Sequence, residues 1–292
     1  MGKRIAITGA KGQLGQTLER SALFELHHLQ PLSRADLDIT VAADVSRVLD
    51  ALQPDIVINA SAYTAVDAAE THAQDAYRIN ETGVMHLAQW VAANDAHLIH
   101  ISTDFVFDGH KSRPYRVEDA VAPLGVYGKS KLAGEQALTH LLPGKASIVR
   151  TAWLYSPYGN NFVKTMLRLL RERDELSVVC DQVGTPCSTA SLSRCLSAIV
   201  EAENPGGIYH WTDAGVASWY DFAVAIQEEA LAMSLLEYAI PVHPIATEAY
   251  PTPAARPAYS VLDKSRALRE LACPQLHWRE ALRDMLKQMS ET

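Results

Sequence analysis

Short apolar runs and longer stretches of helical texture alternate along the first half of the chain. Arg4–Thr8 (RIAIT), Asp55–Ala60 (DIVINA), His97–Ser102 (HLIHIS) and Ser147–Arg150 (SIVR) are rich in β-branched residues and bounded by turn formers. Runs of this kind suit strands buried on both faces of a parallel sheet. Between them, Val45–Leu52 and Thr82–Asn94 have helical length and composition. Strand–helix alternation predicts βαβ units and a doubly wound α/β fold. The texture changes after about Tyr155. Phe162–Arg173 carries apolar residues at Phe162, Met166, Leu169 and Leu170 with basic residues between them, an amphipathic helix pattern. Pro241, Pro244, Pro251, Pro253 and Pro257 mark a loop-rich stretch unsuited to a central sheet. Leu276–Met289 reads as a closing helix.

Composition narrows the function class. The chain has 292 residues, 48% hydrophobic and 21% charged, with a formal net charge of −8. These are ordinary globular values. A non-specific nucleic-acid binder draws its affinity from basic residues on phosphates, so the acidic balance argues against that class. No apolar run approaches the roughly 20 residues that span a bilayer. The N-terminal MGKRIAITGAKG lacks the apolar core of a signal peptide. Cys180, Cys187, Cys195 and Cys273 are irregularly spaced and without a C-x-x-C pair, as expected of free thiols in a reducing compartment. The expectation is a cytoplasmic protein with no membrane and no nucleic-acid partner.

The candidate chemistry begins at Gly9, Gly12 and Gly15, a G-x-x-G-x-x-G that follows the first strand and precedes the helix-compatible segment Gln13–Glu25. Glycines there allow a sharp turn and close approach of phosphate oxygens to backbone amides, and the helix start adds free N–H groups. This predicts dinucleotide binding in a Rossmann-type domain over residues 1–155. A smaller, mainly substrate-binding lobe follows over 156–292, from which some segments could return to the sheet. The second strand should end near Leu32, where an acid often binds a ribose 2′-hydroxyl. Here Ser33 and Arg34 follow instead. A hydroxyl and a guanidinium suit a 2′-phosphate, which favours NADPH, with NADH also admissible. Arg34 could equally be an ordinary surface cation. Asp38 and Ile39 could edge the adenine, or Asp38 could cap a turn.

Tyr127 and Lys131 stand four residues apart, on one face if their segment is helical. An ammonium beside a phenol lowers its pKa and lets it exchange a proton with a substrate oxygen. Ser102 and Thr103 lie at the end of the third strong run, the edge at which open α/β sheets bind ligands. They should point to opposite faces, and spacing does not decide which would hold a carbonyl oxygen.

The glycine loop, the Ser-Thr pair and the Tyr/Lys pair, in this order, resemble the extended short-chain dehydrogenase/reductase family. The segments 59–70 (NASAYTAVDAAE), 102–109 (STDFVFDG), 158–163 (YGNNFV), 181–186 (DQVGTP) and 255–257 (ARP) are similar to its dTDP-4-dehydrorhamnose reductase branch and reach over nearly the whole chain. The resemblance implies reduction of the 4-keto group of dTDP-4-dehydro-β-L-rhamnose, with Thr103, Tyr127 and Lys131 as the catalytic triad. It implies Gly12, Gln13 and Leu14 against the pyrophosphate, and Asp38 and Ile39 at the adenine. Ala60, Ala62, Tyr63, Thr64 and Ile101 would lie beside the cofactor, with Asp104 and Trp153 at the sugar. Trp153 could instead be core packing. Asn80 could position Lys131 through water or lie on a helix surface. Arg256 could meet the anionic nucleotide or form a loop salt bridge. Some relatives dimerise around Mg²⁺ held by glutamates, whereas the matching positions here are Thr17 and Ala190, which lack hard-cation ligands. The implied state is a monomer or weak homodimer with no metal bridge. Rival readings are another nucleotide-sugar 4-ketoreductase or epimerase of the same fold, and a non-catalytic subunit like the regulatory partner of methionine adenosyltransferase.

Overall fold

The computed structural model describes residues 2–203 and 205–290. Its centre is a six-stranded sheet. In chain order the elements are β1 (Arg4–Thr8), α1 (Gln13–Glu19), β2 (His28–Leu32), α2 (Ala42–Leu52), β3 (Ile56–Asn59), α3 (Gly83–Ala93), β4 (His97–Thr103), α4 (Val126–Leu141), β5 (Ala146–Thr151), α5 (Phe162–Glu172), β6 (Leu176–Val179), α6 (Thr189–Glu201), β7 (Gly207–His210), α7 (Trp219–Ala232), β8 (Val242–Ile245) and α8 (Trp278–Ser290). The sheet order is β7-β5-β4-β3-β1-β2 with every pairing parallel. Chain direction across the sheet reverses at β1/β3, and the glycine loop leaves β1 at this switch point, where doubly wound sheets bind ligands.

Both faces are apolar because alternate residues feed two different layers. Ile5, Ile7, Ile56, Ile58, Ile99, Val149 and Tyr209 pack with α1 and α6. Ala6, Val57, Leu98 and Ile148 pack with α2, α3 and Leu138 of α4. This explains the continuous apolar runs in the sequence. A third cluster joins α5, α7 and α8 outside the sheet. Residues 189–210 thus return to the sheet layer from the second half of the chain. The proline-rich stretch stays out of it: β8 pairs only with β6.

Two expected helices are reshaped by packing. The helix predicted over Gln13–Glu25 stops at Glu19, and a 3₁₀ turn over Ala22–Phe24 follows. The turn carries Phe24 into the core, where it is 1% exposed. In α5 the predicted Met166 and Leu170 are buried, but they are joined by Val163 and Leu167 instead of Phe162 and Leu169. Those two pack only partly, at the margin of the third cluster. Among the described residues, no helix is long and apolar enough to cross a membrane.

Candidate active site

The glycine loop closes against the end of β3. Gly9 has φ +72°, and a Cβ there would lie 2.8 Å from the backbone of Ala60 and Ser61. Only glycine fits this left-handed turn and close approach. Gly12 is the N-cap of α1, and the amide of Gln16 bonds back to its carbonyl at 3.0 Å. Leu14 and Gly15 are buried in the first turn. The Gln13 side chain faces the second lobe: its Oε1 accepts from Ser156 Oγ at 3.1 Å and from Asn161 Nδ2 at 3.0 Å. The loop is therefore tied to the segment that starts α5.

Beyond β2 the polar groups are already engaged. Ser33 Oγ donates to Asp36 Oδ2 at 2.6 Å. Arg34 pairs with Asp38 at 3.4 Å, but its side chain is 68% exposed. Exposed pairs of this length hold weakly, so the guanidinium is available to a stronger anion. Asp38 Oδ1 accepts from both the amide and the hydroxyl of Thr40, which makes it a turn cap. The side chain of Ile39 turns into the core. It is 4% exposed within the second core cluster, so only its backbone is left to meet an adenine.

The segment after β3 is held by a buried asparagine. Asn80 Oδ1 accepts from the Tyr63 amide at 2.9 Å, and its Nδ2 donates to the Tyr63 carbonyl at 3.1 Å and to Ser130 Oγ at 2.9 Å. It is fully buried in a π turn over Arg78–Thr82, which overturns the helix-surface alternative. Asn80 fastens the loop Ala62–Thr64 to α4.

Helix α4 carries Tyr127 in its first turn and Lys131 one turn on. Glu70 Oε1 accepts from the Val126 amide at 2.8 Å, capping the helix start. A Cβ on Gly128 would stand 2.2 Å from the Phe105 carbonyl, so glycine is what lets α4 press onto the segment after β4. The ring of Phe105 meets Tyr127 edge-on at 5.6 Å. Lys131 is 2% exposed and donates from Nζ to the Ile101 carbonyl at 2.6 Å. Its Nζ also lies 3.3 Å from His100 Nε2.

The structure separates the two hydroxyls at the end of β4. Ser102 Oγ donates to Glu135, which also accepts from Arg150 Nη2 at 2.6 Å in a fully buried pair. Thr103 turns to the other face, beside Tyr127, with its hydroxyl donating to Asp104 Oδ1 at 3.0 Å and accepting from the Phe105 amide at 3.2 Å.

Burial sets the electrostatics. It pushes the Tyr127 phenol up to about 12, a shift that the nearby Thr103 hydroxyl partly offsets. The expectation that Lys131 would lower this pKa is therefore corrected: desolvation dominates, and Lys131 is aimed at the Ile101 carbonyl. Burial likewise lowers Lys131 to about 8, against the attraction of Glu135. Asp104, 2% exposed, is raised by burial to about 6, and its Oδ2 has no hydrogen-bond partner.

Just after β5, Trp153 adopts φ +46° and stacks on Trp219 with ring centroids 3.5 Å apart. A left-handed backbone is costly at a large aromatic residue, and the ring packs at the margin of the third cluster. A Cβ on Gly184 would touch both the Trp153 ring (2.8 Å) and Ser260 Oγ (3.0 Å), and Ser260 in turn bears on Asp104. Trp153 and Asp104 thus share one neighbourhood. A cavity of about 400 Å³ opens beside it, lined by Phe162, Met166, Leu169, Trp219, Tyr250 and Arg256 among others. Arg256, on the wall of this cavity, pairs with Asp67, Nη2 lying 2.7 Å from Oδ2. Thr17 Oγ1 bonds Thr189 Oγ1 at 2.7 Å, and Ala190 stands beside it at the start of α6. All four cysteines are free thiols.

Trp219, His100 and Ser260 border these residues and belong to none of the motifs in the sequence. Trp219 and Ser260 lie far from the motifs along the chain. His100 sits inside an apolar run that reads as plain strand.

Comparison with known proteins places these features. The family model for the RmlD substrate binding domain matches residues 3–291. A dTDP-4-dehydrorhamnose reductase of Aggregatibacter actinomycetemcomitans is 43% identical over 288 residues, 97% of this chain and 98% of that one. The crystal structure of a dTDP-4-dehydrorhamnose reductase from Clostridium acetobutylicum superposes with TM-score 0.92 at 41% identity, covering 98% of this chain and 99% of that one. The Bacillus anthracis enzyme, solved in complex with NADP, gives TM-score 0.92 at 39% identity over 99% and 100% of the two chains.

Proposed function

The chain belongs to the family of the RmlD substrate binding domain, that of the dTDP-4-dehydrorhamnose reductases, and we propose on that premise that it reduces the 4-keto group of dTDP-4-dehydro-β-L-rhamnose to dTDP-L-rhamnose. The observation that carries the reading is the convergence of Thr103, Tyr127 and Lys131 at the carboxyl end of β4, beside a glycine loop built for a dinucleotide. The cradle at Gly9, which any Cβ would fill, and the open first turn of α1 fit a pyrophosphate. NADPH, when bound there, supplies the hydride.

The chain's own residues do the rest. Gln13 and Leu14 would offer backbone amides to the pyrophosphate and Gly12 would lie against it, its own amide donating to the Gly9 carbonyl at 2.9 Å. Arg34, released from Asp38, meets the 2′-phosphate. Ala62–Thr64, held by Asn80, and Ala60 and Ile101 at the strand ends flank the remainder of the cofactor. Tyr127, protonated at neutral pH with a pKa near 12, donates its proton to the oxygen that becomes the alcohol. Thr103 holds that oxygen once its hydroxyl turns from Asp104. Lys131 acts on Tyr127 and on the cofactor ribose. Asp104 and Trp153 orient the sugar. The domain over 1–155 would bind the cofactor and the lobe over 156–292 mainly the nucleotide-sugar. Thr17 and Ala190 bring no carboxylate to the site at which relatives bridge a metal, which supports a monomer or weak homodimer.

The test is NADPH oxidation with enzymatically prepared dTDP-4-dehydro-L-rhamnose. Stoichiometric oxidation with formation of the 4-alcohol is expected. Interconversion of sugars without net oxidation would identify an epimerase, and no turnover with either coenzyme would refute the reading.

A further inference from the structure

The last six residues before α5, Ser156-Pro157-Tyr158-Gly159-Asn160-Asn161, lie along α1. A Cβ on Gly159 would stand 3.2 Å from Gln13 Cγ, and the Arg20 guanidinium lies 4.9 Å from the centre of the Tyr158 ring. The polar contact with Gln13 has a fixed direction. The Lys164 backbone N–H can only donate, and it reaches Asn161 Oδ1 at 3.1 Å. Asn161 therefore turns its Nδ2 the other way, where one N–H meets the Ser156 carbonyl at 2.8 Å. The second N–H meets the Gln13 carboxamide at 3.0 Å, so the atom that Gln13 presents must be its oxygen, Oε1. The Ser156 hydroxyl stands 3.1 Å from the same oxygen. With Oε1 held in this way, Gln13 Nε2 has no protein partner among the described residues, and both of its N–H groups are free to donate. Gln13 is also a residue whose backbone amide is offered to the pyrophosphate, so these donors start within a side chain's length of the phosphate oxygens.

We propose that Asn161 is a positioning residue for the cofactor: it holds the Gln13 carboxamide with its oxygen toward the second lobe, which leaves the Nε2 donors for a pyrophosphate oxygen. This rests on the reading of the glycine loop as the dinucleotide cradle, and it brings a side chain of the substrate lobe into the binding of the other ligand. The arrangement is set before any ligand arrives. Asn161 is the N-cap of α5, and Lys164 Nζ donates to the Pro157 carbonyl at 3.2 Å, so the segment is tied to its own helix. Gln13 then has little rotamer freedom left to lose on binding. The same tie fixes α5, whose Phe162, Met166 and Leu169 wall the cavity beside Trp153, relative to the glycine loop.

The test is isothermal titration calorimetry of the full-length protein with NADPH, which needs no turnover. Asn161→Asp keeps the shape and the helix cap but offers Gln13 only acceptors. The carboxamide must then turn its N–H groups toward the lobe and its oxygen toward the phosphates. Asn161→Ser keeps a cap, adds no charge and gives up both Nδ2 donors. NADPH affinity is expected to fall about tenfold or more in Asn161→Asp and about threefold in Asn161→Ser, with both variants folded by thermal denaturation. Adenosine 2′-monophosphate has the adenine and the 2′-phosphate but no pyrophosphate, and its affinity is expected to stay at the wild-type value. A loosened fold would weaken both ligands alike. Gln13→Ala removes the other partner, so combining it with Asn161→Ser is expected to cost no more than Gln13→Ala alone. Unchanged NADPH affinity in Asn161→Asp, equal losses for the two ligands, or losses that multiply in the double variant overturn the proposal. Wild-type protein that binds neither coenzyme would strike the functional reading itself, a result distinct from any difference between variants.

Discussion

Replacing Tyr127 by phenylalanine removes one oxygen atom and tests the proposed chemistry at its proton donor. The structure lets the magnitude be worked out. With a pKa near 12, the phenol is ionised in only about one molecule in 10⁵ at neutral pH, so the group is available as an acid in essentially every turnover. Loss of a positioned general acid costs roughly 10²–10⁴ in rate, or about 2.7–5.4 kcal/mol of barrier. Stability should barely change. The Thr103 hydroxyl keeps its bonds to Asp104 and the Phe105 amide, so no buried donor is orphaned, and the Phe105 edge contact survives. Cofactor affinity should also hold, because the glycine loop and Lys131 are untouched. The assay is single-turnover NADPH oxidation, with cofactor binding followed by fluorescence and folding by thermal denaturation. At least a hundredfold loss in rate with binding and Tm near wild type is expected. A variant that reduces substrate within a few-fold of wild type would refute Tyr127 as the acid.

Other perturbations probe separate parts of the argument. Arg34→Ala should raise the KM for NADPH about fivefold and leave that for NADH unchanged, since an exposed charge-assisted contact to a phosphate is worth roughly 1 kcal/mol; equal effects on both coenzymes would remove Arg34 from the 2′-phosphate. Glu135→Ala strands the buried Arg150, leaving it the neutral His210 at 3.4 Å and the Phe107 ring at 5.2 Å. A cost of about 3–5 kcal/mol follows, lowering Tm by on the order of 10 °C, and differential scanning calorimetry that finds under about 1 kcal/mol would contradict it. The Asp104 carboxyl has its pKa raised to about 6 in the fold. The folded protein therefore binds that proton more tightly than the unfolded chain, and the group's contribution to stability is lost as pH rises from about 4 to about 6. Asp104→Asn removes this loss, so its stability relative to wild type should climb by about 1–3 kcal/mol over that window while sugar reduction falls. Urea titrations at the two ends of the window that show a constant difference would disprove the burial argument.

The sequence by itself determined the sheet. β1, β3, β4 and β5 are apolar on both faces, so their runs stand out, whereas the edge strands β2 and β7 carry partly exposed positions and do not; the glycine spacing, the strand-end hydroxyls and the Tyr/Lys interval are local patterns that survive without any knowledge of the fold. The tertiary structure decided what each polar group faces. Ser102 and Thr103 are adjacent in the chain, yet the pleat gives one to Glu135 and the other to Tyr127. Burial takes Asn80 off the helix surface and onto Tyr63 and Ser130, and the fold brings Asp67 to Arg256. The direction of the Tyr127 shift also lay beyond the sequence, because spacing places the ammonium nearby but only packing sets how much water is excluded and which carbonyl Lys131 is aimed at. His100 shows the limit most clearly. In the string HLIHIS it is one polar letter in a strand, and its neighbours Asn59 and Lys131 come from two other places in the chain. Hydrophobic periodicity is written residue by residue, whereas hydrogen-bond polarity and desolvation belong to contacts that exist only after the chain has folded.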